Sequence, residues 1–140
     1  MKMTNEQITN TMVRNHAINP AIESIKTKKL PVKDQYAIRR CLAKITDDFK
    51  VLEEARQALV SHYAEKDIGG KVIEAEGGGI TIKNVMEFQK DIKELMDAEI
   101  DLGIEKIVVD FEVWGDPRYD VLTGDEMDLI LPLIEEKKND

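Results

Sequence analysis

The sequence predicts an α+β fold in one domain, 1–140, built on one long central helix. Two or three shorter helices and a small antiparallel sheet complete it, the sheet formed by a hairpin at 71–83 and a strand at 104–114. Three observations carry this. Between residues 32 and 66 the apolar residues Ile38, Leu42, Ile45, Phe49, Leu52, Leu59 and Tyr63 follow steps of three and four, broken only at Arg56, the spacing of one stripe of a helix. After Asp67 the period changes to short alternating runs around Gly77-Gly78-Gly79, as in a hairpin. Third, two later segments open on Asn or Thr with Glu three residues on, the signature of a capped helix start.

Taken in order, an N-terminal helical segment spans 4–26. Thr4 can cap a helix running to His16, with Ile8 and Met12 as its apolar edge. Asn19-Pro20 interrupts it, and Pro20 suits the first turn of a short piece carrying Ile22 and Ile25 inward. Leu30-Pro31 then turns into the long helix, because the residue before proline is pushed out of helical geometry. At about 1.5 Å per residue a helix over 32–66 is about 50 Å long, so it needs a partner along its length. The rest of the chain or a second copy of the same helix could supply one. Gln35 and Arg56 fall in the apolar row, where a polar residue costs stability and fixes register. Arg56 can reach Glu53, or lay its stem along apolar surface at the edge of the core.

The hairpin has arms at 71–75 and 80–83. Its triple glycine lacks the Lys-Ser/Thr of a phosphate loop and precedes a strand where such a loop needs a helix, so it reads as a turn. A helix over 84–99 follows, capped by Asn84 and Glu87, with Val85, Phe88, Ile92, Leu95 and Met96 on the face expected to meet the long helix. In the strand 104–114, Ile107, Val109, Phe111 and Val113 take one side, and Val108, Asp110, Glu112 and Trp114 the other. A short helix over 124–131 with the capping pair Thr123 and Glu126 turns Met127, Ile130 and Leu131 inward before Pro132, and the tail from Glu135 is expected to fray.

Composition narrows the function classes. With 42% hydrophobic residues the chain can bury a core and is not disordered. A formal charge of −8 argues against direct nucleic-acid binding, which needs a basic face. No apolar run approaches the roughly 20 residues of a membrane span, and the polar start carries no signal core, so no membrane partner is expected. Cys41 is alone, which excludes a disulfide framework and a cysteine zinc site. His16 and His62 have no ligand at metal spacing, and Ser24 and Ser61 have no nucleophile context. No cofactor and no metal are called for. Asp110 and Glu112, two apart on a strand face, are the one pair of acids that could hold a cation; the default reading is a wet face. The expectation is a protein that is not an enzyme.

One segment departs from the acidic average. Lys26, Lys28, Lys29 and Lys33, followed by Arg39 and Arg40, form a basic entry to the long helix, with Tyr36, Arg56 and Trp114 as further binding candidates. Such a cluster is either a solvated helix entry or a surface for an anionic ligand or acidic partner.

The order of KLPVKDQYAIRR (29–40), LEEARQALVSHYAEKD (52–67), the glycine hairpin, DIKELMDAEIDLGIEKI (91–107) and LTGDEMDLILPLIEE (122–136) resembles a family of small uncharacterised proteins of tailed bacteriophages. The resemblance implies a phage or prophage origin and a life in the cytoplasm of the bacterial host, and supplies no site residues. Two functions stay open. One is an interaction protein that binds a host, defence-system or virion protein, with possible self-association through the long helix. The other is an anti-defence protein that sequesters a small anionic, nucleotide-like signal in a pocket of basic and aromatic side chains.

Overall fold

The computed structural model describes residues 1–74 and 76–138. Helix α3 (Val32–Tyr63) is its spine. Ile38, Cys41, Leu42, Ile45, Leu52 and Tyr63 are buried along one face, and Arg56, which breaks the row, is exposed. Three residues of the expected helix, 64–66, are extended instead. The Glu65 N–H donates to the Thr81 carbonyl and its carbonyl accepts from Ile73, at 2.8 Å each. Both arms of the loop at 72–82 thus claim this backbone through the bridges Ala64↔Ile82 and Lys66↔Val72, and a residue so paired cannot continue a helical ladder. Among the described residues the expected hairpin is reduced to these bridges and Glu74↔Ile80; Ala75, assigned to its first arm, lies outside them.

At the N-terminus, β1 (Lys2–Thr4) leads into α1 (Asn5–Met12), capped as expected by Thr4, whose Oγ1 accepts from the Gln7 N–H at 3.1 Å while Gln7 Oε1 accepts from Thr4 at 2.8 Å. The helix stops four residues earlier than its pattern suggests. Asn15 and His16 adopt φ of 52° and 63°, the two left-handed positions of a tight hairpin turn. They fold β2 (Val13–Arg14) onto β3 (Ala17–Ile18). Helix α2 (Ala21–Lys26) follows Pro20, and both Ile22 and Ile25 are buried as anticipated. Gln35, in the apolar row of α3, has a local role: its Nε2 donates to the carbonyls of Ile25 and Lys28 at 3.1 and 2.7 Å. The Ile25 carbonyl also accepts from the Lys28 N–H at 3.2 Å, so Gln35 adds a second bond there and ties the segment after α2 to α3.

Helix α4 (Val85–Asp97) packs along the second half of α3. Asn84 does not cap it with its side chain; with φ 50° and ψ 55° it is a left-handed connector, and an N-cap needs extended geometry to turn its oxygen onto the first turn. Glu99 belongs to β4 (Glu99–Asp101), which pairs antiparallel with β1.

The expected strand 104–114 is much shorter. Only β5 (Ile107–Val109) is extended, with Ile107 and Val109 buried and Val108 exposed, so the alternation holds for three residues. Asp110 Oδ1 accepts from the Glu112 N–H at 3.0 Å and starts the helical turn α5 (Phe111–Trp114). This cap exchanges the roles of Val113, now exposed, and Trp114, now buried. Asp110 and Glu112 therefore do not share a strand face. Nor does β5 meet the hairpin. It pairs in parallel with β6 (Ile134–Glu136), and Lys137 N–H donates to the Val109 carbonyl at 2.7 Å, so the tail is ordered past Glu135; Asn139 and Asp140 lie outside the described residues.

Helix α6 (Gly124–Ile130) carries the expected capping box and is followed by one 3-10 turn, Leu131–Leu133. There Leu129 and Ile130 are buried, Met127 is partly so, and Leu131, expected inside, is half exposed because Pro132 tightens the backbone at that point. The main core joins α1, α2, the first half of α3, β5, Trp114 and the α6–β6 segment. Leu52, Tyr63 and Ala64 are buried outside it.

Candidate functional site

The basic entry to α3 does not converge on a pocket. Lys26 Nζ pairs with Glu23 at 3.1 Å, and Lys28 Nζ lies 3.7 Å from the buried carboxylate of Glu126. Arg39 Nη2 donates to the Lys26 carbonyl at 2.8 Å, so it joins Gln35 in closing the end of α2. Lys29 holds Asp120 through its backbone, its N–H donating to Asp120 Oδ2 at 2.7 Å. Tyr36 is exposed, with the Arg40 guanidinium 6.0 Å from its ring. Trp114 is 9% exposed, donates to Asp34 Oδ2 at 2.7 Å, and stands edge-on to Phe111. It is a strut between α5 and the first turn of α3, not a stacking surface. Arg56 pairs with Glu53 at 2.8 Å on the far half of α3, remote in sequence from the rest. Lys33 borders a groove, an apolar depression of about 340 Å³ beside Val32, Val108 and Val113.

The acid and nucleophile candidates have local explanations. Burial pushes the Cys41 thiol up from its usual range, which keeps it unreactive. His16 sits exposed at the hairpin turn, and His62 lies edge-on to Tyr63 with ring centres 4.9 Å apart. Among the described residues no group of three or more His, Cys, Asp or Glu is placed to hold a metal ion. No helix there is long and apolar enough to cross a membrane.

Two other features stand out. The first is a lobe formed by the second half of α3, the bridged loop and α4. Its apolar side chains are only partly covered: Met86 is 86% exposed and Val85, Val51 and Ile68 are more than half exposed. None of Phe88, Ile92, Leu95 and Met96 is fully buried, although they form the inner face of α4. Tyr63 anchors this lobe. Its ring meets Phe88 edge-on at 5.6 Å, and its hydroxyl donates to Asp91. That hydrogen bond, with burial and the nearby carboxylates of Asp91 and Glu87, pushes the phenol up from 10.0 to about 12. Since the folded-state value is raised, the bond stabilises fully below the ordinary value and is lost as pH rises through about 12. A spectrophotometric titration should show a late tyrosine step, as pH rises through about 12. Tyr63→Phe should remove the step, and a late step that survives the substitution would contradict the assignment.

The second feature is a cleft of about 520 Å³ between α1 and α6. Gln7, Asn10, Thr11 and, just past the helix, Arg14 line one wall; Asp125, Asp128, Leu129 and Pro132 line the other. Gln7, Asn10 and Thr11 share one face of α1, and Asp125, Asp128 and Leu129 one face of α6; Arg14 in β2 and Pro132 in the 3-10 turn extend the two walls. Met1 and Met3 supply apolar lining, and Lys2 and Lys106 add cations. Arg14 and Asp125 reach across at 2.8 Å. This cleft was not anticipated. The spacing on both walls is visible in the sequence, but polar residues at helical spacing signal a wet face unless another polar face stands opposite. Nothing local shows that α1 and α6 are neighbours. No family model, curated protein or solved structure matches the chain.

Proposed function

We propose that this is a non-enzymatic interaction protein that docks a protein partner on the lobe of α3 and α4. One observation carries the reading: an amphipathic helix thirteen residues long, α4, has no fully buried residue, and apolar side chains on and around it face outward. An uncovered apolar surface of this kind, rimmed by charge, marks an interaction site. The net charge of −8 suits a partner with a basic surface, such as one that ordinarily binds nucleic acid. On the resemblance to small tailed-phage proteins, the partner would be a host, defence-system or virion protein met in the bacterial cytoplasm.

The test uses Met86→Glu, which adds a charge at an 86% exposed position and leaves the core intact. Capture from infected-cell lysate should retain a defined partner on the wild-type protein, and Met86→Glu should weaken that retention at least about tenfold, the loss of one apolar anchor of about 1.4 kcal/mol. Light scattering distinguishes a second copy as the occupant, since a dimer would revert to monomer in the variant. Partners retained equally by both proteins, with no change in mass, would exclude the lobe as the docking surface.

A further inference from the structure

We infer that the cleft between α1 and α6 binds a short peptide of two or three residues by its two charged ends. The site lies apart from the apolar lobe and stands on its own observations. Its volume, about 520 Å³, falls within the range of small-ligand sites, about 300–1,000 Å³. An extended tripeptide, about 10 Å long at about 3.3 Å per residue, is of matching size; a single amino acid would leave much of the space empty.

Charge selects the class. Arg14, Lys106 and Lys2, the last with its ammonium 4.0 Å from Glu99 Oε1, line the same space as Asp125 and Asp128. A polyphosphate would meet two carboxylates there, and a polyamine would meet three cations. A zwitterion places a carboxylate and an ammonium among both signs at once. The guanidinium of Arg14 offers a fork that matches a carboxylate, and Asp125 already occupies it at 2.8 Å. That pair is a stand-in for the ligand. Both side chains are substantially exposed, 43% and 66%, so the pair contributes little to the fold and exchanges easily. When the peptide carboxylate takes the guanidinium, Asp125 is released to join Asp128 in receiving the ammonium.

The polar groups between the ends suit a peptide link. Among the described residues Asn10 makes no side-chain hydrogen bond, and its amide offers both a donor and an acceptor. Gln7 uses its Oε1 in the α1 cap, which leaves its NH₂ to donate to a peptide carbonyl. The lining by Met1, Met3 and Leu129 admits small apolar side chains.

The probe is trialanine, followed by two-dimensional amide NMR and calorimetry. Saturable shifts are expected at Asn10, Arg14 and Asp128. N-acetylation or C-amidation of the probe should each weaken binding about tenfold or more, and Arg14→Gln should do the same with an unchanged circular dichroism spectrum. Asn10→Ala should weaken it less. Three results would overturn the assignment: no saturable shift with trialanine, equal binding of the doubly blocked peptide, or tighter binding of tripolyphosphate or spermine at the same residues.

Discussion

Ile45→Ala should lower the stability of the fold by about 3–4 kcal/mol, whereas Leu59→Ala, two heptads along the same apolar row, should lower it by only about 1 kcal/mol. Both are aliphatic residues on one face of α3, and sequence alone would rank them equally. Ile45 is 0% exposed and belongs to the central cluster with Ile38, Cys41 and Leu42. Removing most of its side chain leaves a cavity that this tightly packed neighbourhood cannot close, so a cavity cost adds to the lost transfer energy. Leu59 is only partly buried, under the loosely covered lobe, and water or neighbouring side chains can fill its place. Urea unfolding with an unchanged slope would measure both losses. Equal losses would mean that the lobe is packed as firmly as the core, and would remove the basis for reading it as a docking surface.

What was legible in the sequence was what depends on neighbours three or four residues away. The α3 stripe, the inward Ile22 and Ile25, the cap at Thr4 and the capping box at Thr123 are of this kind, since each is specified within one or two turns, although the same signal at Asn84 gave no side-chain cap. Pairing was not legible. The strands have two or three residues each, too few for a period of two to emerge, and apart from the β2–β3 turn their partners lie far apart in sequence, as with Met3 and Ile100. At 104–114 two local signals competed. The alternation of Ile107, Val108 and Val109 is real, but the Asp110 side chain offers the next N–H groups a helical cap, and that preference ended the strand. The basic cluster misled for a related reason. Its charges are answered by groups that the fold brings in from elsewhere, Glu126 for Lys28 and a backbone carbonyl for Arg39. The candidate clefts likewise depend on which helix faces which, a property of the packing that no single segment carries.

Glu126 joins the legible and the hidden parts of the fold, and Glu126→Ala should cost about 3 kcal/mol. Its position as the third residue of α6 is a local capping signal: Oε1 accepts from the Thr123 N–H at 2.8 Å, and its own N–H donates to Thr123 Oγ1 at 3.1 Å. The same carboxylate, 1% exposed, also accepts from the Ser24 hydroxyl of α2 and lies 3.7 Å from Lys28 Nζ. One side chain thus caps a helix and ties it to another about a hundred residues earlier in the chain. Truncation would take from the part-buried Ser24 hydroxyl and Thr123 N–H the acceptor that both now use, and leaving a polar group without its partner costs more than a made bond contributes. The sign of the pH dependence follows from the same contacts. Burial alone would raise the carboxyl, but the bonds from Ser24 and Thr123, with Lys28 nearby, win and hold it below its ordinary value of 4.5. A depressed carboxyl stabilises fully above its ordinary value, and that contribution is lost as pH falls through the folded-state value. Wild-type protein should therefore lose its margin over Glu126→Gln as acid is added below about pH 4.5. Stability curves for the two proteins that run parallel through this range would show that Glu126 is not charged in the fold, and that its contacts to Ser24 and Lys28 do not stabilise the ionised form.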